Sequence, residues 1–212
     1  PDGTTIEVGV ARVASAADDR IGSVVVNPGG PGQPAATFAP IVADAWADDP
    51  GLARFDVVGL DPRGVGMSEP AIDCYTDEQR DADAITTPIP PPGLAWTADT
   101  VRDVHQQCAE GSGGEEFLAH VGTRDVARDL DVLGAVLGEE KLSFFGASYG
   151  TRLGAIYAET FPENVRALVL DGAVDPRKDG AERQLQLYAG LQKSFEQLAV
   201  FCAEQGDCPL GD

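Results

Sequence analysis

Five short apolar runs, separated by segments of helical period, constrain this chain more than any other feature. "IGSVVVN" and "RFDVVGLD" are β-branched and end in turn residues, as buried parallel strands do, and "KLSFFG" and "VRALVLDG" repeat that design. Ahead of them "TTIEVGVARV" alternates apolar and polar residues, the pattern of a strand with one exposed face. Helical patterns fill the intervals: "AATFAPIVADAWAD", "TADTVRDVHQQCAE", "TRDVARDLDVLGAVLG" and the segment after Ser148. Strand and helix in alternation predict an α/β fold, a mostly parallel sheet with helices on both faces. A chain of 212 residues is long enough for one sizeable core.

Two segments fall outside this rhythm. "DADAITTPIPPPGLAW", Asp81 to Trp96, is proline-rich and aperiodic, and reads as a surface excursion. The last stretch, "ERQLQLYAGLQKSFEQLAVFCAE", places Leu185, Tyr188, Leu191, Phe195, Leu198 and Cys202 on one helical stripe. Core packing is the default meaning of such a stripe, and a helix roofing a substrate cleft is the alternative.

A formal charge of -20 repels phosphate backbones and anionic membranes, so nucleic acid is excluded as the expected partner. The acids are scattered, as on a solvated surface; attraction of a cationic group such as a free amino terminus is the functional alternative. No run of about 18 apolar residues occurs, and no membrane span is expected. The chain opens at Pro1 without a leader, so either a signal was removed or the sequence starts inside a gene. Cys74, Cys108, Cys202 and Cys208 form no CxxC pair and no Cys/His cluster, which argues against a metal site. Cys74 and Cys108 bracket the proline-rich excursion, and Cys202 and Cys208 bracket the turn-rich "AEQGD". Two local disulfides in an oxidising compartment are the preferred pairing, against four reduced buried thiols.

"KLSFFGASYGTRLGAIYAE" joins a strand to a helix through Gly-x-Ser-x-Gly. A serine hydroxyl is a weak nucleophile, and a sharp strand-to-helix turn fixes its oxygen where a base can reach it. Gly146 and Gly150 relieve crowding around Ser148, and the N–H of Tyr149 lies at the helix start, where a developing oxyanion is stabilised. A second donor is expected from the loop after an earlier strand. "VVVNPGGPGQP" stands there, with Gly29, Gly30 and Gly32 for close approach and Pro28 and Pro31 for stiffness. A third loop, "GLDPRGVGMSEP", carries Asp61 and Arg63, which are expected to brace it by pairing with each other or with nearby backbone.

Together "NPGGPG", "FDVVGLDPRGVGMSEP", "GASYGTRLGAIYAETFPENVRALVLDGAVDP" and the late pair Cys202 and Cys208 resemble the α/β-hydrolase fold. More narrowly they resemble the proline iminopeptidase and tripeptidyl aminopeptidase group of secreted actinobacterial serine peptidases. The resemblance implies Ser148 as nucleophile, Tyr149 and Gly30 as oxyanion donors, a peptide substrate cleaved from its free amino terminus, a secreted or envelope location, and no cofactor. It also implies residues 1–176 as the amino-terminal part of the core and 177–212 as the start of a helical lid.

One departure stands out. The order of a triad in this fold is Ser, then Asp or Glu, then His, yet His105 and His120 both precede Ser148. His105 reads as a solvated helix residue and His120 as a loop or capping residue. Asp171 and Asp175 follow "VRALVLDG", but without a later histidine neither completes a triad. The expectation is therefore the amino-terminal part of a larger hydrolase, completed by a tightly associated segment or chain that carries the acid and the histidine. Glu182 and Glu196 read as a solvated helix face. An esterase or lipase on the same scaffold, or a non-catalytic binding protein, are the alternatives.

Overall fold

A computed structural model describes residues 5–81, 97–204 and 208, which fall into two compact units, Pro1–Ala173 and Val174–Asp212. The first unit is built on one sheet of strand order β1-β3-β2-β4-β5. Strand β1 (Val10–Val13) runs antiparallel to β3 (Phe55–Leu60) at one edge. Strands β2 (Gly22–Asn27), β4 (Leu142–Ala147) and β5 (Val165–Asp171) are parallel with it. Every residue of β2 is buried, which is why its sequence shows no alternation, whereas β1 alternates between exposed and half-buried. Among the described residues of the alternating stretch "TTIEVGVARV", the last four form the strand, and Glu7 makes an isolated bridge to Glu69.

The helices follow in chain order: α1 (Phe38–Trp46), α2 (Asp77–Asp81), α3 (Ala98–Gly111), α4 (Glu115–Ala119), α5 (Thr123–Val136) and α6 (Tyr149–Thr160). Both faces of the sheet are covered. Val126, Leu130 and Leu133 of α5 and Leu153 and Tyr157 of α6 pack on Val25, Val58, Leu142 and Phe144. On the opposite face Ala39 and Val42 of α1 pack on Val24, Val26 and Val57, and Trp46 meets Phe145 edge-on at 5.8 Å between ring centres.

The end of the sheet where β2 and β3 begin is closed by charge. Asp56, 1% exposed, accepts from the Ser15 N–H (2.8 Å), from Nε of Arg20 (2.8 Å) and from the Arg12 guanidinium. Burial opposes its charge, but the Ser15 N–H and the two guanidiniums outweigh it and hold its pKa below the usual carboxylate range. Beside it Glu139 accepts from the Ser23 N–H at 2.7 Å, and Arg166 bonds Ser143 Oγ at 2.6 Å while lying over the Phe55 ring.

The far edge is open. Among the described residues no strand pairs with the outer side of β5, and Val169 on it is 58% exposed. The Cys74–Cys108 disulfide ties the segment after β3 to α3.

In the second unit, α7 (Gly180–Ala203) begins with a capping box: Asp179 Oδ1 accepts the Glu182 N–H at 2.8 Å, and the Glu182 side chain accepts from the Asp179 N–H. No residue of α7 is buried, and Leu185, Tyr188, Leu191, Phe195 and Leu198 of its apolar stripe are exposed. Cys202 is bonded to Cys208.

Candidate active site

The register of the sheet brings three loops to one end. Asn27, the last residue of β2, stands opposite Gly146 of β4, and Val26 stands opposite Gly59 of β3. The chain leaving β2 therefore starts beside the chains leaving β3 and β4, at the carboxyl end of the parallel strands, where ligands bind in open α/β sheets.

Ser148 is the whole connection between β4 and α6. It has φ 52° and ψ -120°, and it is the only non-glycine residue with positive φ among the described residues. Neighbouring groups hold that strain. Its N–H donates to the Asp171 carbonyl at the end of β5 (2.9 Å), and its carbonyl accepts from the Thr151 N–H (3.0 Å) and hydroxyl (2.6 Å). The side chain is exposed, and its hydroxyl makes no hydrogen bond among the described residues. The flanking glycines have no room for a Cβ. At Gly146 it would lie 2.5 Å from the Gly150 carbonyl oxygen, and at Gly150 2.7 Å from the Asn27 carbonyl oxygen.

The loop after β2 presses on this turn. Gly29 is buried, with φ 107°; a Cβ there would sit 2.7 Å from the Ala147 carbonyl oxygen and 3.1 Å from the Tyr149 nitrogen. Its N–H is occupied by Asn27 Oδ1 at 3.0 Å. The next N–H along the loop, that of Gly30, has no partner among the described residues, and neither has that of Tyr149 at the start of α6. The structure thus brings Ser148, Tyr149 and the glycine loop together. The Tyr149 hydroxyl lies 2.6 Å from Thr123 Oγ1 at the start of α5.

Asp61 and Arg63 do not pair with each other. Asp61 holds backbone N–H groups, whereas Arg63 grips Asp129 of α5 with two bonds of 2.7 and 2.8 Å and reaches the His120 carbonyl at 3.2 Å. The hydrogen bond to Asp129 raises the pKa of Arg63 further. His105 is exposed on α3, and His120 caps α4 with its ring 61% exposed and Nδ1 3.8 Å from Asp125; neither bonds Ser148. Asp171 contributes its backbone to the turn, and its side chain is exposed. Asp175 is engaged by Arg177, whose side chain and N–H draw its pKa down to about 2. Glu182 is spent on the α7 cap, and Glu196 accepts from Gln192.

Sequence reading missed Asn27, Thr123 and Asp129. Asn27 carries a signal, a polar residue closing an otherwise apolar strand; the other two act through partners 26 and 66 residues away, which no local pattern announces. Among the described residues no cluster of three or more His, Cys, Asp or Glu is arranged to hold a metal ion.

Comparison with known proteins agrees with this fold. The family model for the alpha/beta hydrolase fold matches residues 22–212. The chain is 43% identical over 213 residues to the serine protease Hip1 of Mycobacterium tuberculosis, covering all of this chain and 40% of that protein. It is 42% identical over 214 residues to carboxylesterase B of the same species, covering 100% and 41%. To the tripeptidyl aminopeptidase of Streptomyces lividans it is 39% identical over 186 residues, covering 84% and 34%. The chain therefore spans about 40% of the length of the first of these relatives. A mostly parallel sheet, a strained serine between strand and helix, and a family match over residues 22–212 lead to one conclusion: this chain belongs to the α/β-hydrolase family.

Proposed function

We propose that this chain carries the nucleophile and the oxyanion hole of a serine peptidase that releases short peptides from free amino termini. The observation that carries the reading is the backbone of Ser148, strained at positive φ, tied at both ends and presenting a hydroxyl that no described residue bonds. Such strain persists only where surrounding structure enforces it. In the reaction, Ser148 Oγ attacks the scissile carbonyl carbon while a histidine takes the hydroxyl proton. The carbonyl oxygen gains the negative charge and receives the N–H groups of Tyr149 and Gly30. Collapse of the adduct breaks the C–N bond, the histidine protonates the leaving amine, and water then hydrolyses the acyl-enzyme.

The acid and the histidine come from a complementary carboxyl-terminal portion. Two features support this: both histidines of the chain are exposed and unbonded to Ser148, and among the described residues no strand pairs with the outer side of β5, where Val169 is exposed. Peptide specificity draws its support from the relatives named serine protease and tripeptidyl aminopeptidase. The relative named carboxylesterase supports a second reading, ester hydrolysis by the same parts. The two disulfides support a location outside the reducing cytoplasm.

The test uses the complete polypeptide, with Ser148→Ala beside wild type, on peptide amides with free and blocked amino termini and on simple esters. Wild type is expected to cleave only free-amine peptides efficiently, and Ser148→Ala to lose on the order of 10⁴-fold or more in kcat. Undiminished turnover by Ser148→Ala refutes the nucleophile, and preference for esters over peptides selects the second reading.

A further inference from the structure

Asp61 stands one residue beyond the end of β3, 1% exposed, and among the described residues no Arg, Lys or His pairs with it. A buried carboxyl group without a cation is costly unless its oxygens are hydrogen-bonded. Here both are, each to a backbone donor from a different loop. Oδ1 accepts the N–H of Ala36 at 2.8 Å, and Oδ2 accepts the N–H of Met67 at 2.9 Å. Its own backbone is fixed as well: the N–H donates to the Gly9 carbonyl (2.9 Å), and the carbonyl accepts from Ser68 Oγ (2.8 Å).

Ala36 closes the glycine loop. That loop enters at Gly29, buried against Ser148 and tied to Asn27, and leaves through Ala35 and Ala36, both buried; the residues between, Gly30 to Gln33, are exposed. An exposed arch between two buried anchors takes its shape from those anchors. Asn27 sets the first, and Asp61 is the side chain that sets the second.

Resting on the serine-hydrolase reading above, we propose that Asp61 is a positioning residue for catalysis: by holding the Ala36 N–H it fixes the exit of the loop and thereby the direction of the Gly30 N–H. The residue type fits the task. A carboxylate offers an acceptor to each of two N–H donors, whereas an amide of the same shape turns one acceptor into a donor facing a donor. Releasing one end of the arch misplaces a donor aimed at the charge that develops on the carbonyl oxygen, so the loss falls on transition-state stabilisation.

The experiment compares Asp61→Asn and Ala36→Pro in the complete polypeptide. Ala36 sits in the turn that leads into α1, where the Phe38 and Ala39 N–H groups bond the Ala35 carbonyl and the Ala36 N–H goes to Asp61, so proline there removes a donor that the helix does not use. For each variant that retains the wild-type circular dichroism spectrum, kcat and KM are measured per titrated active site, together with inhibition by a peptide boronic acid that forms a tetrahedral adduct on the serine. Expected are a fall in kcat of about 10- to 100-fold, KM within about threefold of wild type, and boronate affinity weakened in step with kcat/KM. A folded variant of either kind with kcat and boronate affinity unchanged, or a loss confined to the fraction of active sites, overturns the proposal. Failure of the underlying reading has a different signature, since Ser148→Ala would then leave wild-type turnover intact.

Discussion

Replacing Gly29 by alanine tests whether the loop after β2 truly bears on the serine turn, and Gly32→Ala supplies its internal control. Both glycines have positive φ, 107° and 86°, so both alanines incur a backbone cost of about 1–2 kcal/mol. They differ in space. At Gly32 a Cβ meets nothing within 4 Å, whereas at Gly29 it lies 2.7 Å from the Ala147 oxygen, 3.0 Å from Ser148 Cβ and 3.1 Å from the Tyr149 nitrogen. Those neighbours belong to the turn itself and yield only if the turn moves, an overpacking cost of about 1–3 kcal/mol. Gly32→Ala should therefore destabilise by about 1–2 kcal/mol and Gly29→Ala by about 2–5 kcal/mol. Urea unfolding of the two variants in the complete polypeptide measures the difference, and fluorophosphonate labelling of Ser148 measures the displacement. A shift on the order of 1 Å at the nucleophile corresponds to about a 100-fold slower reaction for Gly29→Ala. If the two variants unfold within about 0.5 kcal/mol of each other, the steric reasoning is wrong.

Two further outcomes follow from the charged end of the sheet and from the cross-links. Asp56→Ala should cost about 3 kcal/mol at neutral pH, the low end for a broken buried pair, because Arg12 and Arg20, at 49% and 38% side-chain exposure, regain water. Since the folded state depresses the pKa of Asp56, its contribution is complete above the unfolded carboxylate value, about 4, and is lost as pH falls through the lower folded value. Denaturant midpoints of wild type and variant should converge as pH falls below about 4, and a gap that stays constant through the acid range would contradict this. Loop-closure entropy for separations of 34 and 6 residues assigns about 4 kcal/mol to Cys74–Cys108 and about 2 kcal/mol to Cys202–Cys208. Paired serine substitutions read by urea unfolding should keep that order, and the reverse order would refute the entropic account.

Much of the architecture was legible because it is written locally. Val24 to Val26, Phe144 and Leu168 lie in runs whose composition suits a pleated strand, and the glycines around Ser148 mark a turn that only small residues permit. The helices α2 and α4, five residues each, are too short to display a period and went unseen. Pairings were the least legible. Nothing near Arg63 points to Asp129, and nothing near Asp61 points to the N–H of Ala36, since both depend on which strands become neighbours. The stripe on α7 shows the reverse limit: periodicity reports that a helix has an apolar face but says nothing of what covers it.

The position of β2 in the sheet has a consequence for the nascent chain. One of its two neighbours, β3, is synthesised soon after it, but the other, β4, begins about 115 residues later. At translation rates of about 5–20 residues per second, the β2–β4 side of the sheet stays unpaired for roughly 6–23 s. During that interval the β-branched Val24-Val25-Val26 run has a free edge. High contact order at the centre of the sheet therefore makes this short segment the point where premature association competes with folding.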